Sequence, residues 1–87
     1  MIPPPGPKYL RLKKFLANQT QSVQEIELGF GNLMGIVLDV LPKSAYLYRA
    51  WWANDRTHIQ ARAWLDAGWK VKVLRMEDRY VTFARRG

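Results

Sequence analysis

Two tryptophans, Trp51 and Trp52, stand side by side in a chain of 87 residues, and all four tryptophans lie between residues 51 and 69. Adjacent side chains leave a helix or a strand in different directions, so both rings cannot enter one core from a regular element. We therefore expect one ring to be partly exposed, or the backbone to bend here. An exposed ring could stack on a base or anchor a protein partner.

A purely structural role is the alternative for the same segment. Both rings could pack around a bend, while Arg49 and Asn54 hold the loop by hydrogen bonds to backbone groups. A small chain buries a modest fraction of its surface, so large rings contribute strongly to its core. We expect Trp64 to lie in that core.

The length fits one domain, and the absence of cysteine excludes a disulfide scaffold and a thiolate metal site. No apolar run approaches about 20 residues, so no membrane span is predicted, and we expect a cytoplasmic protein. Residues 1–7 are rich in proline and lack a hydrophobic signal core. They are predicted to form a flexible tail before a single domain over residues 8–86.

The formal net charge is +7, from 14 Lys and Arg against 7 Asp and Glu. A surface this positive attracts polyanions, and nucleic acid is the commonest polyanion in a cell. The alternative is a basic protein without a specific partner, since net charge also favours solubility.

The first half of the chain predicts a helix, a strand and a second helix. Apolar residues recur at helical spacing from Lys8 to Ala17, and they alternate with glutamates over residues 22–30. A short helix is expected from Gly31 to Leu38, although its two glycines weaken the pattern. Residues 43–55 fit either an irregular turn or a short helix.

The second half predicts a helix and a hairpin. Thr57 and Gln60 have the spacing of a capping box, and Gly68 is placed to leave the helix, which gives a helix over His58–Ala67. Beyond it, residues 69, 71 and 73 are expected to face one way and residues 70, 72 and 74 the other. A turn at residues 77–78 and a strand over residues 80–85 complete the hairpin.

This order predicts an α+β fold of the winged helix-turn-helix type, with three helices and a small antiparallel sheet. The early strand is expected to pair with the hairpin. In winged domains the third helix enters the DNA major groove, and the hairpin lies along the backbone. The connection between the second and third helices is long for a tight helix-turn-helix.

The predicted recognition helix carries a polar stripe of His58, Arg62 and Asp66. Arg62 could read a guanine, and His58 or Gln60 a neighbouring base or a phosphate. A solvated face in which Arg62 pairs with Asp66 is the alternative. Cations of the hairpin and the first helix are expected on phosphates. The complete set of predicted DNA contacts is Arg11, Lys14, Arg49, Trp52, Asn54, Arg56, His58, Gln60, Arg62, Lys70, Lys72 and Arg79.

Enzymatic patterns are weak. His58 with Asp55 or Asp66 could form an acid–base pair. The sequence supplies no second histidine, no nucleophile with its base, no phosphate-binding glycine loop and no cluster of metal-binding carboxylates. We therefore expect no catalytic residues, no metal and no cofactor.

One run, Tyr48-Arg49-Ala50-Trp51-Trp52-Ala53-Asn54-Asp55, continues with His58, Gln60–Trp64 and Ala67–Trp69. Through these residues the chain resembles a small prokaryotic domain family of unknown function, over almost its whole length from Lys8 to Phe83. The resemblance implies a short stand-alone protein or appended module, in some cases beside restriction or nuclease-type genes. It implies no catalytic residues, and it implies that the hallmark includes Arg49, Trp51, Trp52, Asn54, His58, Gln60 and Arg62.

The chain departs from the family pattern at Gly31-Asn32 and Gly35, where acidic helix formers are typical, and in its higher positive charge. The function predicted from the sequence is non-enzymatic nucleic-acid binding, with double-stranded DNA as the partner. The alternative is a protein-interaction or targeting module of a defence or restriction system, anchored by an exposed tryptophan. The sequence does not give the oligomeric state.

Overall fold

The computed structural model describes residues 7–86. Its helices and strands follow in this order: α1 (Pro7–Ala17), β1 (Glu25–Gly29), α2 (Phe30–Val37), α3 (Lys43–Leu47), a 3₁₀ turn (Arg49–Trp52), α4 (Ile59–Asp66), β2 (Trp69–Arg75) and β3 (Tyr80–Arg85). The α+β class is confirmed. The described part has four α-helices rather than three, because α3 forms in the segment that the sequence left open.

The predicted tail lies mostly outside the described residues, which begin at residue 7. Pro7 itself opens α1 instead of belonging to the tail. A proline is well suited to a first helical position, because the N–H that it lacks has no partner within the helix there.

The three strands form one antiparallel sheet in the order β1-β3-β2. β1 pairs with β3 from Glu25 opposite Ala84 to Gly29 opposite Tyr80. The predicted pairing of the early strand with the hairpin is confirmed. β3 is therefore the central strand, and β1 and β2 are the edges.

A bulge in β2 changes which side chains face the core. Val71 pairs with Phe83, but Val73 pairs with the adjacent Thr82, so Lys72 is an extra residue in the ladder. Beyond the bulge, Leu74 pairs with Val81 and packs against the core. The strict alternation predicted through residue 74 is wrong, because the extra residue shifts the pleat by one position.

The core lies between the helices and the face of the sheet that carries Val81 and Phe83. Both are fully buried, as are Leu16 of α1 and Trp69 at the start of β2. The indole Nε1 of Trp69 donates to the Leu16 carbonyl at 3.0 Å, which ties the end of α1 to the hairpin. α1 also packs against α2 and α4, so it joins these two helices to the hairpin.

The start of α4 differs from the prediction. The helix begins at Ile59, and no side chain caps it. The expected capping box is wrong because both partners bond elsewhere. Thr57 donates its hydroxyl to Asp55 at 2.7 Å, and Gln60 donates Nε2 to the Trp51 carbonyl at 2.8 Å. The predicted exit at Gly68 is confirmed by its φ of 88° directly after the C-cap.

The end of α2 contains a residue in an unfavourable conformation. Leu38, the C-cap, has φ 58° and ψ 37° and is 68% exposed. A left-handed backbone costs a residue with a Cβ about 1–2 kcal/mol, and glycine avoids this cost. We expect Leu38→Gly to raise the free energy of unfolding by about 0.5–1 kcal/mol, after the larger entropy of the unfolded glycine is subtracted.

Urea denaturation measures this change. Leu47→Gly is the matched control, because Leu47 is 63% exposed and lies in a helix without a positive φ. The control variant should be destabilised. A loss of stability in both variants would show that the left-handed conformation of Leu38 carries no strain.

Candidate functional site

The second tryptophan of the pair belongs to the core. Trp52 lies between Phe30 and Trp64, with ring centroids 4.8 and 6.2 Å away and interplanar angles of 21° and 15°. Its side chain is 2% exposed, and its Nε1 donates to the Ala45 carbonyl at 2.8 Å. The prediction of Trp52 as a DNA contact is therefore wrong, because no ligand reaches a ring enclosed on both faces. The prediction that Trp64 lies in the core is confirmed.

The first tryptophan is half-buried, as the expectation of one partly exposed ring requires. Trp51 meets Trp52 edge-on at 4.7 Å and Tyr9 at 6.1 Å. The two rings diverge because the 3₁₀ turn places neighbouring side chains on different sides of the backbone. If one ring of the pair contacts a ligand or a partner protein, it is therefore the ring of Trp51.

Asn54 joins the loop between the 3₁₀ turn and α4 to β2, an edge strand of the sheet. Its Oδ1 accepts from the Val71 N–H at 2.9 Å and from Trp64 Nε1 at 3.0 Å, while its Nδ2 donates to the Val71 carbonyl at 3.0 Å. The side-chain amide of Asn54 thus bonds both backbone groups of Val71, as a neighbouring strand would do at an edge of the sheet. Asn54 is exposed, but these three bonds engage its amide within the fold.

Arg49 contacts the same edge, donating Nη2 to the Leu74 carbonyl at 3.4 Å. The alternative interpretation, in which Arg49 and Asn54 hold the loop by bonds to the backbone, is confirmed. Arg49 remains exposed, so part of its guanidinium faces solvent.

The predicted recognition helix presents little polar surface. Ala61, Ala63, Trp64 and Leu65 are buried, and Ile59 is an exposed apolar residue. Arg56 forms an ion pair with Asp66 at 2.6 Å, and Arg62 Nε donates to the Arg56 carbonyl at 2.7 Å. Gln60, bonded to Trp51, faces the loop. The structure therefore engages Arg56, Gln60 and Arg62 in contacts within the domain.

The three hairpin cations that were predicted to contact DNA have different surroundings in the structure. Lys72 pairs with Glu25 across the central strand. Arg79, in the turn, lies over the Tyr46 ring at 5.3 Å. Lys70 is exposed and forms no ion pair with any described residue. Two glutamates, at 25 and 27, lie on the edge strand that shares this sheet, so the hairpin is not a purely positive surface.

The cations of α1, unlike those of the sheet, have no acidic residue on their own element or beside them in the same sheet. This helix carries Lys8, Arg11, Lys13 and Lys14 and contains no acidic residue. Lys8 is 3.9 Å from Asp39. Within residues 7–86 the other three cations form no ion pair. Arg11 and Lys14 are exposed, and the structure therefore leaves both free to meet an external anion.

Sequence reasoning missed two features. Arg85 donates to the carbonyls of Gln19, Thr20 and Val23 at 3.2, 2.7 and 2.8 Å, and it lies 4.5 Å from the Trp69 ring. This arginine holds the loop after α1, which no local pattern indicates.

The second missed feature is a shallow groove of about 370 Å³ beside the tryptophan pair. It is lined by Ser44, Tyr48, Ala50, Trp51, His58 and Gln60. Tyr48 is 60% exposed, which is unusual for so large a ring. Tyr48 is the first residue of the run through which the chain resembles its family. Sequence spacing alone does not show that this tyrosine faces solvent beside Trp51.

The possible acid–base pair is not assembled. The backbone N–H and hydroxyl of Thr57 donate to Asp55 and hold the pKa of its carboxyl below the ordinary value. Asp66 is bound to Arg56. The Nδ1 of His58 is buried and has no hydrogen-bond partner among the described residues. In the same part of the chain, no three His, Cys, Asp or Glu residues are grouped as metal ligands.

These features define a small α+β domain with a basic helix and an aromatic groove. The chain belongs to the family described as a domain of unknown function, DUF7662, whose model matches residues 9–87. Among curated proteins and among solved structures, no match to this chain was found. Across residues 7–86, the helices are too short or too polar to cross a bilayer.

Proposed function

We propose that this domain binds double-stranded DNA without catalysing a reaction, and that α1 supplies its main phosphate contacts. The observation that carries the proposal is the set of cations on α1, which contains Arg11, Lys13 and Lys14 and no acid. Clustered cations without ion-pair partners gain most from neutralising phosphates, because they lose no existing pair when they bind.

The topology supports a winged-helix-like arrangement. A sheet of order β1-β3-β2, in which β1 follows the first helix and the hairpin follows the last, has the connectivity expected for such a domain. Residues 38–58 separate α2 from α4, so the two helices are not joined by a tight turn. The motif in this chain would therefore be a variant with a large insertion.

The surface of α4 favours weak base readout. Its one cation, Arg62, donates to the Arg56 carbonyl, and its Asp66 pairs with Arg56, which precedes the helix. Ile59 could contact a thymine methyl group. Binding through phosphates alone gives affinity with little sequence preference. We therefore propose a cytoplasmic DNA-binding module whose affinity depends more on charge than on base sequence.

The salt dependence of binding tests this function. Three phosphate contacts predict an affinity loss of about 40-fold when salt rises from about 50 to about 200 mM, measured by fluorescence anisotropy of a labelled short duplex. The double variant Arg11→Glu/Lys14→Glu should bind at least about tenfold more weakly at low salt.

The matched control is Lys43→Glu/Arg75→Glu, which makes the same change of net charge on α3 and β2, at exposed residues. A smaller loss in the control would assign the contacts to α1. Equal losses would mean that net charge alone attracts DNA, and no binding at low salt would reject the function.

A further inference from the structure

We infer that the groove between Tyr48 and Trp51 accepts one unpaired nucleobase of the bound nucleic acid. The inference rests on the DNA binding proposed above and goes further, because it names the part of the ligand that this site recognises. An unpaired base is one at a bulge, a mismatch or a flipped position of a duplex.

The size and lining of the groove fit a flat ring. Its volume of about 370 Å³ is large enough for one base, and two aromatic side chains line it. Tyr48 is 60% exposed and Trp51 is half-buried. Bases stack readily on such rings because every base has a π-face.

Polar groups at the wall of the groove could contact the edge of a base. Gln60 gives its Nε2 to the Trp51 carbonyl, which leaves its amide oxygen as an acceptor. The groove also contains the Ser44 hydroxyl and the His58 imidazole. The Nδ1 of His58 is buried and lacks a partner among the described residues, so this nitrogen has an unused capacity for a hydrogen bond.

The backbone around the groove is fixed before any ligand binds. The N–H of Tyr48 donates to the Ser44 carbonyl at 2.9 Å, and the Tyr48 carbonyl accepts from the Trp51 N–H at 3.1 Å. Trp51 is held further by its edge contacts with Tyr9 and Trp52. A base would therefore meet an ordered backbone and an ordered Trp51 ring, which lowers the ordering cost of binding.

Charge around the groove favours a base over an apolar side chain of a protein. Tyr9, which contacts Trp51, lies on the basic helix α1. The same helix carries Arg11 and Lys14, which are exposed and form no ion pair among the described residues. A base in the groove would carry its flanking phosphates past these cations, whereas a neutral peptide would gain nothing from them.

The test compares two duplexes of the same sequence, one of which has a single bulged 2-aminopurine. We expect the wild-type protein to prefer the bulged duplex by at least about fivefold, the lower limit for stacking of one base, and to quench its fluorescence. Tyr48→Ala should abolish the preference and the quenching without weakening binding to the paired duplex. Tyr48→Phe should retain both.

Leu47→Ala is the control, because Leu47 is exposed beside Tyr48 but does not line this groove. Equal, salt-dependent binding of the two duplexes would overturn the base site and leave the DNA-binding function standing. A preference that persists in Tyr48→Ala would also overturn it. Failure to bind either duplex at low salt would reject the DNA-binding function itself.

Discussion

We expect Trp52→Ala to lower the free energy of unfolding by about 3–5 kcal/mol, the range for removing a large aromatic side chain from a core. The ring is 2% exposed and stacks between Phe30 and Trp64. The substitution also leaves the Ala45 carbonyl without the indole N–H that it accepts. A domain of this size has a total stability of about 5–15 kcal/mol, so the variant should be close to unfolding.

Chemical denaturation followed by circular dichroism measures the change. Trp51→Ala is the matched control, since it deletes the same side chain from the neighbouring, half-buried position. We expect this control to lose less than about 2 kcal/mol. A comparable loss in the two variants would contradict the assignment of Trp52 to the core and Trp51 to the groove.

Trp52→Phe separates packing from hydrogen bonding. This variant keeps an aromatic ring in the stack but loses the indole donor. We expect it to lose about 1–2 kcal/mol, which corresponds to one unsatisfied buried acceptor and a small cavity. A loss as large as that of Trp52→Ala would show that the hydrogen bond, and not the stack, dominates.

Periodicity predicted the elements that have one buried face. α1 exposes Arg11 and Lys14 and buries Leu12 and Leu16. The hairpin alternates up to Val71. Such elements are predictable because their side-chain period follows from their backbone geometry. The bulge at Lys72 was not predictable from this pattern, since either register leaves an apolar residue facing the core.

The segment between α2 and α4 was harder to predict from the sequence, because its residues contact a strand that lies far along the chain. Asn54 bonds to Val71, and Arg49 bonds to Leu74. Neither contact can be inferred from residues nearby. The sequence indicated that a regular element could not direct both rings into one core, but the burial of Trp52 and not Trp51 depends on the direction of the 3₁₀ turn.

The hallmark implied by the family resemblance is thus mainly a set of folding contacts. Trp52 fills the core, Asn54 joins the loop to β2, and Gln60 holds the Trp51 carbonyl. The groove beside Trp51 is the part of this region that remains open to a ligand.

The second large effect is expected for Asn54→Ala, which should lower the free energy of unfolding by about 2–4 kcal/mol. The variant loses three hydrogen bonds, two to the backbone of Val71 and one from Trp64 Nε1. Trp64 is fully buried, so its N–H would have no partner, and an unsatisfied buried donor costs about 1–3 kcal/mol. The remaining loss comes from freeing the loop from the edge of β2.

Asn32→Ala is the control, since Asn32 is an exposed asparagine whose Oδ1 accepts one bond, from the Gly29 N–H at 2.9 Å. We expect it to lose about 1 kcal/mol. Asn54→Asp should lie between the two, because it keeps the acceptor for Trp64 and Val71 but replaces the donor by an oxygen facing the Val71 carbonyl. If Asn54→Ala proved no more costly than the control, the loop would be held by the aromatic stack and not by this side chain.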